Sequence, residues 1–438
     1  MALSLCLAQL PMDIDLALVI YAIIAFVLVG VGLASMILFT RAKLVSGEDC
    51  TITINEDESL TIHHPAGTTL LNVLSSNNIP IPSPCGGKAT CKQCKVQILE
   101  GADVPLQTDI DTFSKKELKA GWRLSCQSKL KHDIHIHVDE HALSVKEWEA
   151  TVVSNENVAT FIKELIVEVP EDVPYRSGGY LQFHVPPFKT NTSDWKETME
   201  EQYYGDWEKF DMFGRELDFS YLGQNEVIRA YSMASYPAEG KTLKFNIRIA
   251  TPPFENGKVS KTIPWGICST YTFALKPGDK VRLSGPYGES FMIEDDRDLY
   301  FLIGGAGSSF GRSHIFHLLN TEHTHRKVAM WYGARSLKEN IYQEEYEELD
   351  KKYDNFSYHL VLSEPLPEDI EKGWVKDDPI KTNYLFKAFE LGELKKLDYP
   401  EEALYYVCGP PLHNQSVMKL LDDYGVPRES IVLDDFGS

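Results

Sequence analysis

The sequence predicts a multidomain chain: an N-terminal transmembrane helix, an α+β module, an antiparallel β-barrel and a doubly wound α/β domain. Three observations predict it. A charge-free apolar run fills residues 16–40, short β patterns crowd residues 145–290, and strand alternates with helix from about 296 onward. At 438 residues the chain exceeds what one hydrophobic core organises. The expected divisions are 1–43, 44–140, 141–295 and 296–438.

The composition is that of a globular protein, 43% hydrophobic and 24% charged. A net charge of −21 without any basic stripe excludes nucleic acid as a partner class and is otherwise ordinary solubility. The run LALVIYAIIAFVLVGVGLASMILFT spans roughly 37 Å as a helix, more than the roughly 30 Å of a hydrocarbon core. A signal peptide carries a basic leader and a shorter apolar stretch, whereas here no Lys or Arg precedes Arg41. Asp13 and Asp15 before the run, with Arg41 and Lys43 after it, place the C-terminal bulk in the cytoplasm. No ionisable group lies within the run, so this helix alone offers no ion path.

The second segment opens with TITINEDESLTIHH, two alternating strands about a turn at Asn55–Glu58, followed by a helix over Thr69–Asn77. DIHIHV at 133–138 closes this unit as a strand. His135 and His137 there alternate with Ile134, Ile136 and Val138, which marks a wet strand face and not a metal site. Between helix and closing strand stand Cys85, Cys91 and Cys94 in PCGGKATCKQCKV, and Cys126 in GWRLSCQ. Three cysteines within ten residues suit metal ligation better than a disulfide framework. Structural zinc pairs two short spacings, but here the fourth cysteine is remote and alone, which favours an iron–sulfur cluster. Gly86 and Gly87 let backbone amides turn toward the sulfurs. The first gap, five residues, is one longer than the plant-type C-x4-C-x2-C.

The third segment contains WEATVVS, FIKELIVEV, YLQFHV, LKFNIRIA and KVRLSG, strands at the spacing of a small barrel. Residues 189–225 interrupt it with a charged, aromatic stretch expected to be a surface insertion. RAYS (229–232) and GICSTY (266–271) supply a forked cation, an aromatic and a glycine turn, the chemistry that holds a planar ring and a diphosphate. In the last segment FLIGGAG (301–307) is a buried strand running into glycines and a helix, where amides meet a dinucleotide diphosphate. YYVCGPP (405–411) ends a second strand with the thiol of Cys408 at the sheet's carboxyl edge.

RAYS, GICST, GGAG and CGPP in this order resemble the ferredoxin–NADP reductase superfamily. The anchor, the cysteine module, RAYSMASYP, IRIATPP, WYGARS and the terminal LDDFG extend the likeness over nearly the whole chain. Together they resemble the family of NADH-oxidising F subunits of bacterial sodium-translocating NADH:quinone oxidoreductases. That family carries C-x5-C-x2-C. The resemblance implies a β-grasp ferredoxin domain whose 2Fe-2S cluster is ligated by Cys85, Cys91, Cys94 and Cys126. It implies FAD held by Arg229, Tyr231 and Ser232, with Gly266, Cys268, Ser269 and Thr270 at its pyrophosphate. NADH is implied to lie against Gly304, Gly305, Gly307, Cys408, Gly409 and Pro410. Tyr231, Ser232, Cys408 and Phe436 are implied at the catalytic centre, with Tyr231 against the flavin ring and Phe436 covering it where nicotinamide enters.

The activity so implied is hydride transfer from NADH to FAD, then single electrons to the cluster and on to other membrane subunits. Those subunits reduce ubiquinone or menaquinone, coupled to sodium export, so that this chain reaches quinone indirectly from the bacterial inner membrane. The choice of NADH over NADPH is also a family inference, and Arg335 weighs against it. Ser308–Ser309–Phe310 departs from the Met-Ala-Pro that usually follows GGAG, and a different helix start is expected there. Two alternatives share parts of the layout. One is the reductase component of a multicomponent oxygenase, generally soluble; the other is a membrane electron carrier without NADH turnover. The anchor and LDDFG weigh against the first.

Overall fold

In a computed structural model, the described residues are 21, 23–33, 35–36, 49–77, 79, 81–83, 85–138, 146–222 and 227–435. Helix is described at 21, 23–33 and 35–36, and the rest of the expected 16–40 span lies outside the described residues. Among the described residues no helix is long and apolar enough to cross a membrane.

Strands β1 (Asp49–Ile54), β2 (Asp57–Pro65), β3 (Lys95–Glu100), β4 (Trp122–Leu124) and β5 (Ile134–His137) form a sheet in the order β2-β1-β5-β3-β4. The β1–β2 hairpin turns at Asn55 and Glu56, both at positive φ. β5 runs parallel to β1. Helix α1 (Leu70–Ser76) starts where the Thr69 side chain accepts from Asn72 N, and it buries Leu70, Val73 and Leu74. β5 alternates buried isoleucines with exposed His135 and His137.

Six antiparallel strands follow: β6 (Lys146–Ala159), β7 (Ile162–Glu168), β8 (Tyr180–Val185), then β11 (Val227–Ser232), β12 (Thr242–Arg248) and β15 (Lys280–Tyr287). Two small ribbons account for the intervening strands, β9 (Lys189–Asn191) with β10 (Glu216–Asp218) and β13 (Phe254–Glu255) with β14 (Lys258–Val259). The six-stranded order is β11-β8-β15-β6-β7-β12, and among the described residues no ladder joins β11 to β12. The expected barrel is therefore not closed. Its open seam has a use: Ala230–Ser232 on one edge and Asn246 and Arg248 on the other line the main cleft.

The stretch 189–225 is not the surface insertion the sequence suggests. Within its described part, helix α2 (Glu201–Lys209) and the 3-10 turn Asp194–Thr198 drive Trp195, Tyr203, Trp207 and Met212 into the barrel core. Trp195 and Trp207 pack edge to face at 5.7 Å, and Trp207 Nε1 donates to Thr160 O at 2.6 Å. The charges that read as surface lie on the opposite side of the same turns.

The last unit is a five-stranded parallel sheet, β16 (Leu299–Gly304), β17 (Val328–Ala334), β18 (Phe356–Leu362), β19 (Leu404–Cys408) and β20 (Ile431–Asp434). The order β18-β17-β16-β19-β20 reverses direction between β16 and β19, the switch point at which open α/β sheets bind ligands. Along β16, Leu299, Phe301 and Ile303 enter one core while Tyr300 and Leu302 enter the other. Both faces are covered, as an all-parallel sheet requires. Helix α3 (Ile267–Ala274) precedes β15, and helix α4 (Ser308–Asn320) follows β16. Arg312 of α4, almost wholly buried, pairs with Glu239 at 2.9 Å and Glu345 at 2.8 Å and donates to Ala234 O, fastening this unit to the open barrel.

Candidate functional site

The cysteine loop is built by backbone conformations that side chains rarely adopt. Gly86, Gly87, Ala89 and Lys92 all have positive φ, so the chain coils tightly enough to bring three thiols together. Ser83 accepts from Gly86 N through its carbonyl and from Gly87 N through its hydroxyl. Cys126 arrives from the turn after β4, where Ser125 N donates to Cys94 O and Gln127 Nε2 donates to Cys126 Sγ at 3.4 Å. The thiols meet in two pairs. Cys85 and Cys91 lie 3.2 Å apart, and Cys94 hydrogen-bonds Cys126. Within the pairs, the hydrogen bond from Cys91 holds Cys85 down at about 4 and that from Cys94 holds Cys126 at about 7. Among the described residues no three His, Cys, Asp or Glu groups converge on one ion. A binuclear cluster asks for something else, two thiolates at each of two irons, and the paired donor set fits it.

The second site is a cleft of about 660 Å³ between the barrel seam and the switch point of the parallel sheet. It gathers Tyr231, Ser232, Gly304, Gly305, Gly307, Cys408, Gly409 and Pro410. Close packing explains the glycine at 307: a Cβ there would stand 2.5 Å from Cys408 O and 3.0 Å from its Sγ. The two strand ends thus touch. Burial pushes the Cys408 thiol well up, so it is a neutral, weakly reactive group. Tyr231 packs edge to face on Phe183 at 5.2 Å, and its hydroxyl contacts Cys268 and Thr272.

Arg229, Gly266, Cys268, Ser269 and Thr270 lie outside the cleft lining. Arg229 is on β11 two residues before Tyr231. Gly266 caps α3, whose first amides have no partner inside the helix. The Cys268 thiol turns into the core, where burial raises it to about 12. The Ser269 hydroxyl donates to Gly266 O and accepts from Ala250 N, both at 3.1 Å, so it serves the turn itself. Thr270 Oγ1 is buried without a hydrogen-bond partner, the mark of a group awaiting a ligand. Phe436 lies outside the described residues.

A 3-10 turn over Gly305–Gly307 leads directly into α4 at Ser308. Ser309 Oγ accepts from Asn246 N and Ser308 Oγ from Asn246 Nδ2, both at 3.0 Å, while Phe310 is fully buried. These serines tie the nucleotide turn to barrel strand β12.

Sequence reasoning missed Asp434. The Ser232 hydroxyl donates to its Oδ2 at 3.2 Å and the Ser290 hydroxyl to its Oδ1 at 3.4 Å. Burial raises this carboxyl to about 7. The signal was present in the LDDFG string, but the pairing of β20 with β19, which sets Asp434 beside Cys408, is a tertiary fact. His413 was missed as well; it stacks over Gly409 and its ring meets Leu302 O at 3.1 Å.

Fold and site together define a class: a nucleotide-dependent flavin reductase with an iron–sulfur ferredoxin domain on the same chain. Residues 52–131 match the 2Fe-2S iron-sulfur cluster binding domain family, and residues 301–418 the oxidoreductase NAD-binding domain family. An Amycolatopsis cytochrome P450 reductase has this fold, at TM-score 0.59 and 19% identity over 88% of this chain and 98% of that one. So does a ferredoxin reductase in carbazole 1,9a-dioxygenase, at TM-score 0.54 and 20% identity over 89% and 98%. The F subunit of the Na(+)-translocating NADH-quinone reductase of Chlamydia caviae is 63% identical over 95% of this chain and 97% of its own length. The corresponding F subunit of Pseudomonas aeruginosa is 46% identical over 95% and 98%. The chain belongs to the family of F subunits of Na(+)-translocating NADH-quinone reductase.

Proposed function

We infer that this chain takes hydride from NADH onto bound FAD, passes single electrons to a 2Fe-2S cluster, and delivers them to partner subunits. Those partners reduce ubiquinone or menaquinone with sodium export. The observation that carries this reading is the cleft in which Tyr231 and Ser232 of the open seam face the touching strand ends at Gly307 and Cys408, on a chain that also gathers four paired thiols. FAD, when bound, accepts a hydride and gives up its electrons one at a time.

The chain's own groups divide the remaining work. Cys85, Cys91, Cys94 and Cys126 hold the cluster. Arg229, Tyr231 and Ser232 hold FAD, and Gly266, Cys268, Ser269 and Thr270 at the start of α3 face its diphosphate. Gly304, Gly305 and Gly307 with Cys408, Gly409 and Pro410 frame NADH, whose nicotinamide is brought to Tyr231, Ser232 and Cys408. Phe436 covers the ring. The task of these residues is to stack two planar groups and exclude water, since hydride transfer needs no obligatory acid or base.

The proposed domains are 44–140, 141–295 and 296–438, and residues 16–40 anchor the chain in the inner membrane with the rest in the cytoplasm. The described part of that run supports the anchor: its helical residues Phe26 and Leu28 are largely exposed.

Anaerobic NADH added to the purified holoprotein should bleach its yellow-brown absorbance within seconds. A protein that keeps its colour under those conditions does not carry the relay.

A further inference from the structure

The ferredoxin domain meets the open barrel where the cysteine loop faces β8 and β11, and among the described residues three contacts mark the junction. The Tyr180 hydroxyl donates to Gln93 Oε1 at 2.7 Å. Gly86 lies so close on the Arg229 guanidinium that a Cβ there would collide with it. Lys95 and Glu289 pair at 3.6 Å, but both are exposed, and such pairs contribute little. The first contact differs in kind. Tyr180 is 5% exposed, its ring stacks on Tyr287 with centroids 5.4 Å apart, and Gln93 is half-buried between Cys91 and Cys94. On the barrel side Tyr180 stands directly opposite Ser232 in the β8–β11 ladder. One hydrogen bond therefore spans from the cluster loop to the strand beside the flavin-facing serine.

We propose that the Tyr180–Gln93 hydrogen bond is the latch that keeps the cluster loop docked on the barrel in the arrangement through which electrons cross, an inference that rests on the function proposed above. In each crossing one electron leaves the reduced flavin and one ferric ion of the cluster becomes ferrous. Tyr180 and Gln93 are positioning residues; neither exchanges an electron or a proton. Burial keeps the phenol protonated, so it donates at every working pH.

The test uses the full chain in detergent, with FAD and cluster in place. Tyr180→Phe preserves the ring stack and deletes only the donor. In anaerobic rapid mixing with NADH, the flavin should bleach at the wild-type rate while the cluster bleaches about three- to tenfold more slowly, the change one lost hydrogen bond produces. Amide hydrogen exchange over residues 85–94 should accelerate in the same variant. Gln93→Leu should reproduce both effects, and the double variant should go no further than either single one. Unchanged cluster bleaching with native iron content, unchanged loop exchange, or additive effects in the double variant would overturn the latch. If NADH leaves the wild-type flavin oxidised, the proposed function fails instead, and the exchange comparison still decides the latch.

Discussion

Each of the four thiols has one partner thiol, and a ligand set of two pairs tolerates no missing member. Cys126→Ser should abolish the cluster, with iron falling from two atoms per chain to near zero. NADH should still bleach the flavin in that variant, which separates cluster loss from unfolding. Asp434 supports a pH prediction. Burial raises its carboxyl to about 7, so the folded chain favours the protonated form. The associated stability is complete below about pH 4, drains as pH rises, and is gone above about 7. With flavin held beside Ser232 as proposed, hydride arrival would add negative charge there, and an ionised Asp434 behind that hydroxyl would oppose it. Flavin bleaching by NADH should therefore slow as pH rises through about 7, and Asp434→Asn should remove that inflection. A profile unchanged by the substitution would detach Asp434 from the site.

Among the elements, the helix and ribbon within residues 189–222 depart furthest from what their residues suggest. Their composition, acidic and aromatic together, reads as a wet excursion because spacing says nothing about which side of a short helix faces a core contributed by distant strands. Trp207, with no exposed surface, fills that core against Trp195, Phe213 and Phe273. Trp207→Ala should destabilise the chain by about 3–5 kcal/mol, read as a lower urea midpoint. Where periodicity is local, sequence was sufficient: α1 starts at its Thr69 cap and β5 alternates as its histidines require. Where a side chain's duty depends on a neighbour from another strand, it was not. Cys268 and Ser269 sit in the expected string, yet one thiol faces the core and one hydroxyl braces a turn. Ser308 and Ser309 departed from the family pattern, and only the adjacent strand with Asn246 shows what they do.

At the scale of the whole molecule, three units act in series and two of the joints are visible. Arg312 clasps the nucleotide unit to the barrel, and the cysteine loop rests on barrel strands β8 and β11. Proposed membrane attachment belongs to residues 16–40, so a chain lacking residues 1–43 should move from carbonate-washed membranes into the soluble fraction. It should keep NADH-dependent ferricyanide reduction within about twofold of the full chain, because the proposed flavin and nucleotide residues all lie at position 229 or later.

The unclosed sheet has a consequence for how such a chain can be divided. Strands β11 and β12 end their sheet without a mutual ladder, so each presents backbone donors and acceptors that an unrelated strand could adopt. In the intact protein the neighbouring α/β unit lies across the cleft from both, and its Ser309 takes the amide of Asn246 on β12. A fragment comprising residues 44–295 should self-associate in light scattering while the intact chain stays monodisperse, which makes the nucleotide-binding half a guardian against aggregation as well as a dock for substrate.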